Sequence, residues 1–143
     1  EQFIISTVDT ALYAQNVVVA AEAIGLGICY IGAIRNDPTE TSTLLKLPVN
    51  VYPVFGLCIG HPAETPEVKP RLPVSVVLKE NTYDDSEEPE QIAAYDIVAR
   101  DYYANRSGNK KSQSWSEQMT GLLGKEARPH MKQFLANQGF EMK

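Results

Sequence analysis

The chain has 143 residues, of which 43% are apolar and 22% charged, and a formal net charge of −5. That is about one domain by length, with enough apolar residues to bury a core without disulfides or metal. The acidic balance argues against non-specific nucleic-acid binding. No uninterrupted apolar run approaches the roughly 18 residues of a membrane span, and no charged n-region and cleavage site mark a secretory signal. The chain opens on Glu1 rather than Met and runs directly into a helical pattern, so sequence upstream is expected to have been lost.

The charge is unevenly spread. Residues 1–99 carry 5 Lys or Arg against 14 Asp or Glu, and residues 100–143 carry 8 against 4. A basic C-terminal third suits either a local anion site for a phosphorylated small molecule or a complementary surface at a subunit contact. Cys29 and Cys58 each sit in an apolar run without CxxC spacing, which predicts buried free thiols in a reducing cytoplasm.

In chain order, residues 2–24 are expected to form one long helix. Phe3, Ile4, Val8, Ala11, Leu12, Val18, Val19 and Ile24 recur at helical spacing. The helix is apolar nearly all round, which predicts burial in a domain core or a dimer interface. Gly25 and Gly27 end it. Ile28–Ile31 is a short strand. Asp37 caps a helix with Pro38 at its first position, running to about Leu47. Val51–Ile59 is a second strand, with Pro53 near its start. Gly60–Pro73 is a proline-rich loop, and Val74–Leu78 is extended. The acidic stretch 84–90 is a solvated connector. Helices follow at Gln91–Asn105, Trp115–Leu123 and Pro129–Gln138, with Arg106–Ser114 a mobile loop and Gly139 a C-cap. This order points to an α+β or α/β class.

Gly25-Leu26-Gly27 does not read as a dinucleotide fingerprint. That motif needs a strand before its glycines and a helix after them, and here the order is reversed. Tyr30-Ile31-Gly32-Ala33 ends a strand on small residues. A flat ligand could approach the main chain there, and a plain strand-to-loop turn would look the same. Lys69-Pro70-Arg71 sets two cations around a rigid proline, suited to phosphate or simply to solvent. Arg106-Ser107-Gly108-Asn109-Lys110-Lys111 places three cations in six residues without an acid. It suits a second phosphate, such as the 2′-phosphate of NADPH, or an ordinary exposed loop. His61 and His130 lack ligand spacing with any Cys or acidic partner, so no metal is expected. No Ser-His-Asp or Cys-His arrangement is evident.

Taken in order, several segments resemble one family. They are Asp9-Thr10-Ala11, Ala20–Gly27, Tyr30-Ile31-Gly32-Ala33-Ile34-Arg35-Asn36, Leu44–Pro48, Phe55-Gly56-Leu57-Cys58, Lys69-Pro70-Arg71-Leu72-Pro73, Glu80–Tyr83 and Trp115-Ser116. The chain resembles the oxygen-insensitive NADPH nitroreductases and NADPH-flavin oxidoreductases, an FMN-dependent family, over essentially its whole length. The ordered set is far more specific than any one piece.

The resemblance implies an α+β nitroreductase fold with a long buried helix, short core strands and a C-terminal helical extension. It implies residues 1–83 as the C-terminal part of the core, 84–90 as an acidic connector, and 91–143 as the extension bearing a basic NADPH loop. It implies a cytoplasmic homodimer that binds FMN, takes electrons from NADPH and passes them to a small-molecule acceptor, with neither membrane nor nucleic acid as partner. Carried over by position, Tyr30, Ile31, Gly32 and Ala33 would contact the flavin through main chain. Lys69, Pro70 and Arg71 would face FMN, Lys69 toward the ring's N1/O2 edge or ribityl chain and Arg71 toward the phosphate. Arg106 would hold the NADPH phosphate, with Lys110 and Lys111 nearby. Lys125 and Arg128 would stand at the mouth of a substrate channel. Two departures stand out. The family usually has a second Gly where this chain has Ala33. Its longer N-terminal part carries a His-Arg-Ser-x-Arg motif that grips the FMN phosphate, and nothing like it occurs here. The chain is therefore expected to be a C-terminal portion, and a non-catalytic structural half unable to hold FMN alone is the competing expectation.

Overall fold

The computed structural model describes residues 1–140. Its elements are, in order, α1 (Gln2–Ala23), β1 (Gly27–Ile31), a 3-10 turn (Gly32–Asn36), α2 (Pro38–Leu45), β2 (Gly56–Gly60), α3 (Val74–Val77), α4 (Glu88–Asn105), α5 (Trp115–Leu123) and α6 (His130–Asn137). They divide into two compact units, Glu1–Glu64 with the segment from Arg128 onward, and Thr65–Ala127.

In the first unit, α1 ends where Gly25 takes φ of 83°, a left-handed conformation that glycine enters without strain. β1 and β2 pair antiparallel, with Cys29 opposite Cys58 and Ile31 opposite Gly56. The Asp37 carboxylate accepts the Glu40 N–H at 2.9 Å and Pro38 follows, so α2 begins as its sequence requires. The core cluster joins distant parts of the chain. Phe134, Leu135 and Phe140 are buried, with Phe3, Tyr52 and Met131 packed against them. The Phe3, Tyr52 and Phe140 rings meet with centroids 5.3–6.0 Å apart. Gly139, at φ of 90°, turns the chain after α6, where an added Cβ would stand 2.7 Å from the Asn50 side chain.

Burial along α1 is narrower than its composition predicts. Ala14, Val18 and Ala21 are buried, while Ile4, Ile5, Val8, Leu12, Tyr13 and Val19 are exposed. These apolar faces have no cover among the described residues. By length and composition alone this helix would suffice to cross a membrane, although Asp9, Gln15 and Asn16 interrupt it. The cysteines correct an expectation outright: both are free and exposed. An apolar run shows that a strand packs somewhere, but not which of its two faces is covered.

In the second unit, α4 carries a buried stripe of Tyr95, Ala99 and Tyr103 at i, i+4 and i+8. Trp115, at the start of α5, lies edge-on to Tyr95 with centroids 6.1 Å apart. Ser114 and Glu117 form a reciprocal capping box at the start of α5. Asp96 accepts the Ser116 N–H at 2.9 Å there as well. Two expectations change. Val74–Val77 is a single helical turn rather than extended chain. The end of the acidic connector folds into α4, since Glu88 and Glu90 complement the positive end of the helix and Pro89 suits its first turn.

Candidate functional site

The residues singled out by sequence fall in both units. In the first, Tyr30 and Ile31 end β1, and Gly32 and Ala33 open the 3-10 turn. Among the described residues the sheet has two strands, so β1 keeps one unpaired edge with main-chain N–H and C=O groups available. The Tyr30 ring stands edge-on to Phe55, with centroids 5.0 Å apart. Gly32 has a local reason to lack a side chain. A Cβ there would lie 3.1 Å from an Arg35 guanidinium nitrogen, and that guanidinium donates to the Val54 carbonyl at 2.5 Å. The C-terminal segment is tied to the same turn. Arg128 donates through Nε to the Asn36 amide oxygen at 2.9 Å, and His130 Nε2 bonds the Arg35 carbonyl at 3.0 Å. Arg128 is thus engaged with the turn, and its φ of 57° shows a backbone bent to place it.

In the second unit, α4 holds the Lys69-Pro70-Arg71 segment. The Tyr95 hydroxyl donates to the Pro70 carbonyl at 2.9 Å. Lys69 Nζ lies 5.5 Å from the centroid of the Tyr103 ring. Arg71 borders an open groove of about 520 Å³ shared with Pro73, Ser75, Gln91, Tyr95 and Val98.

The same Tyr103 ring collects the basic loop. The Arg106 guanidinium carbon stands 4.7 Å from its centroid, and Lys111 Nζ stands 5.6 Å from it. The Lys111 N–H donates to the Tyr103 carbonyl at 3.0 Å. Arg106 donates through Nε to the Asn109 carbonyl at 3.0 Å, and Asn109 takes φ of 51° to close the loop. Glu67 is the nearby acid, and it is bonded within the same loop. Its carboxylate accepts the Ser107 N–H and hydroxyl, each at 3.1 Å. The Lys69 ammonium beside the phenol, with the charges of Lys111 and Arg106, holds Tyr103 below its ordinary value against the opposing effect of burial. Glu67 lies below the usual carboxylate range through the hydrogen bonds of its own backbone N–H and of Ser107.

Among the described residues the ion pairs are Lys79–Glu88 at 2.8 Å and Arg100–Glu117 at 3.1 Å. None of the cations singled out by sequence is in them. Lys69, Arg106 and Lys111 therefore leave net positive charge around one buried aromatic ring, a donor set that fits a phosphate. Lys110 and Lys125 are exposed, without a side-chain partner among the described residues. Sequence reasoning missed Tyr103 and Tyr95. The signal was present in the i, i+4, i+8 spacing of Tyr95, Ala99 and Tyr103, which marks one helix face but not what that face holds.

Comparison with known proteins covers nearly all of the chain. Residues 2–61 match the pattern described as Nitroreductase family, and residues 69–143 match Nitroreductase family, C-terminal domain. The chain is 50% identical to a Cr(VI) reductase of Pseudomonas sp. (strain G-1), over 100% of this chain and 59% of that protein. The solved structure of NfrA1 from B. megaterium superposes with a TM-score of 0.90 at 45% identity, covering 97% of this chain and 57% of that one. The NADPH:FMN oxidoreductase from Vibrio harveyi, solved in complex with NAD+, superposes at 0.85 with 42% identity, covering 96% and 55%. The chain thus spans less than three fifths of the length of each relative. Their fold, with TM-scores this high, is the expected α+β nitroreductase fold, and α1 lies inside the segment matched to it.

Proposed function

The chain belongs to the nitroreductase family, and from that premise we propose that it is the C-terminal portion of a cytoplasmic, homodimeric, FMN-dependent NADPH oxidoreductase. The names of its relatives support this reading, since they include a flavin oxidoreductase and a chromate reductase. The observation that carries it in this chain is the cluster of Lys69, Arg106 and Lys111 around Tyr103 without a carboxylate ion pair among the described residues.

FMN, when bound, supplies the two-electron chemistry, taking hydride from NADPH and passing electrons to a nitroaromatic, a quinone or free flavin in a ping-pong cycle. The chain's own residues bind and position. Main chain at Tyr30, Ile31, Gly32 and Ala33 would offer hydrogen bonds to the flavin. Lys69 would place positive charge toward the ring's N1/O2 edge, where reduction builds negative charge. Arg71 would serve the FMN phosphate, with Pro70 stiffening the segment between them. Arg106, Lys110 and Lys111 would receive the NADPH 2′-phosphate, and Lys125 and Arg128 would stand at the mouth of the substrate channel. No protein nucleophile or general base is needed. The test is NADPH oxidation by the full-length protein, with nitrofurazone or free FMN as acceptor. Turnover is expected, and its absence with every acceptor would sink the proposal.

One observation favours a second reading for the 143-residue chain by itself. The exposed apolar faces of α1 suit a structural half that needs a partner surface. Visible absorbance of the purified chain separates the two. A colourless oligomer supports the structural half, and bound flavin supports a chain that holds FMN alone.

A further inference from the structure

Tyr103 is used by neither the flavin chemistry nor the acceptor, yet more of the cationic apparatus meets it than any other residue. Three cationic groups lie within 5.6 Å of its ring centroid, and they come from two separate segments, the 69–71 loop and the 106–111 loop. Like charges held this close repel each other. An aromatic face offsets part of that repulsion through its quadrupole, most effectively when the ring is shielded from water. This ring is 7% exposed and fixed on a helix face with Tyr95 and Ala99. The main chain adds a further anchor, since the Tyr103 carbonyl receives the Lys111 N–H. Glu67 cancels only part of this charge: its carboxylate is held by Ser107 and feels the charge of Arg106, one acid against three cations.

We propose that Tyr103 is a positioning residue that gathers Lys69, Arg106 and Lys111 into one cluster, so that the flavin-side lysine and the nucleotide-phosphate loop are set by the same ring. This rests on the nucleotide reading above for the identity of the phosphate, but the organising role belongs to the ring alone. The ring selects for a 2′-phosphate by concentrating charge that would otherwise disperse into solvent. The π face, rather than the hydroxyl, makes this contribution.

The experiment is a titration of the protein with 2′-AMP, with adenosine as the control lacking phosphate. Tyr103→Phe is expected to keep affinity for 2′-AMP within about threefold, and Tyr103→Leu to lose about tenfold or more, with adenosine unchanged by either. Because the leucine variant removes a buried ring and can misfold, a second series keeps shape and burial. Phenylalanine carrying one, two or three fluorines at position 103 weakens the quadrupole stepwise, and affinity for 2′-AMP is expected to fall with each fluorine. A flat fluorine series, equal losses in the Phe and Leu variants, or no binding of 2′-AMP by the unaltered protein overturns the proposal. Affinity that tracks the ring in a protein without NADPH turnover would sustain this inference and refute the oxidoreductase reading. Turnover with a flat fluorine series would do the reverse.

Discussion

The two regions that carry the singled-out residues are built on opposite principles. The turn at Tyr30–Asn36 offers main chain, and its side chains are spent on holding the turn itself, Arg35 on Val54 and Asn36 on Arg128. The cluster on α4 offers side chains, with its main chain spent in helix and loop closure. A main-chain site recognises shape, because every residue presents the same N–H and C=O. A side-chain cluster recognises charge and can be changed one residue at a time. Flavin occupancy and nucleotide selectivity should therefore respond to different substitutions.

The largest expected effect tests the side-chain region. A charge-assisted, forked contact with a phosphate contributes about 1.5–3 kcal/mol, so Arg106→Ala should raise the NADPH KM of the full-length protein by more than about tenfold. NADH lacks the 2′-phosphate, and its KM should stay within about twofold. Equal rises for both would reject the phosphate role. The corresponding change in the main-chain region is Gly32→Val. Its side chain would enter the space of the Arg35 guanidinium, which lies 3.1 Å from where a Cβ would stand. Flavin content of the purified holoenzyme is expected to fall about threefold to tenfold, with the ratio of NADPH to NADH KM unchanged. A shift in that ratio comparable to the Arg106 variant would show that the two regions are not separable.

A smaller effect concerns what holds α5 beside the cluster. Burial pushes the Asp96 carboxyl upward, but hydrogen bonds from Ser116, Ser114 and Trp115 outweigh it and hold the group below the usual carboxylate range. A depressed folded value means that Asp96 stabilises the fold fully above its unfolded value and ceases to as pH falls through the folded one. Asp96→Ala should cost about 1 kcal/mol near neutrality, as the loss of a helix cap does. Its acid transition, followed by Trp115 fluorescence, should lack the component seen in the unaltered protein below about pH 4. Coincident transitions would remove Asp96 from the account.

Local chemistry was the legible part. Asp37-Pro38 is a start signal that acts within one turn, and α2 begins where those residues place it, whereas the Ser114 and Glu117 capping box became visible only in the structure. The nitroreductase fold was legible through the order of short segments rather than through any element alone. Tertiary arrangement was not. Val51–Phe55 has the composition of a strand, but pairing begins only at Gly56, because strand formation depends on a partner in register. Val74–Val77 is β-branched and still makes a helical turn after Pro73, which shows context overriding propensity. The basic residues were each visible, but their meeting at Tyr103 was not, since it joins segments far apart in sequence through a helix face.

The cysteines test the same limit from the sheet's side. An apolar strand such as Gly27–Ile31 predicts burial on average, yet direct cross-strand partners point to one face and share its fate. Cys29 and Cys58 are such partners, so they are exposed or covered together. Both are exposed in this chain, and a disulfide reagent added to the native protein without denaturant should titrate both. No stability change is needed to read this outcome. Titration of one thiol alone would contradict the register of β1 against β2. Reaction of neither until denaturation would show that face covered in solution. The Tyr30 end of β1 would then have to be reread, because a surface packed across the sheet would reach the strand that carries the proposed flavin contacts.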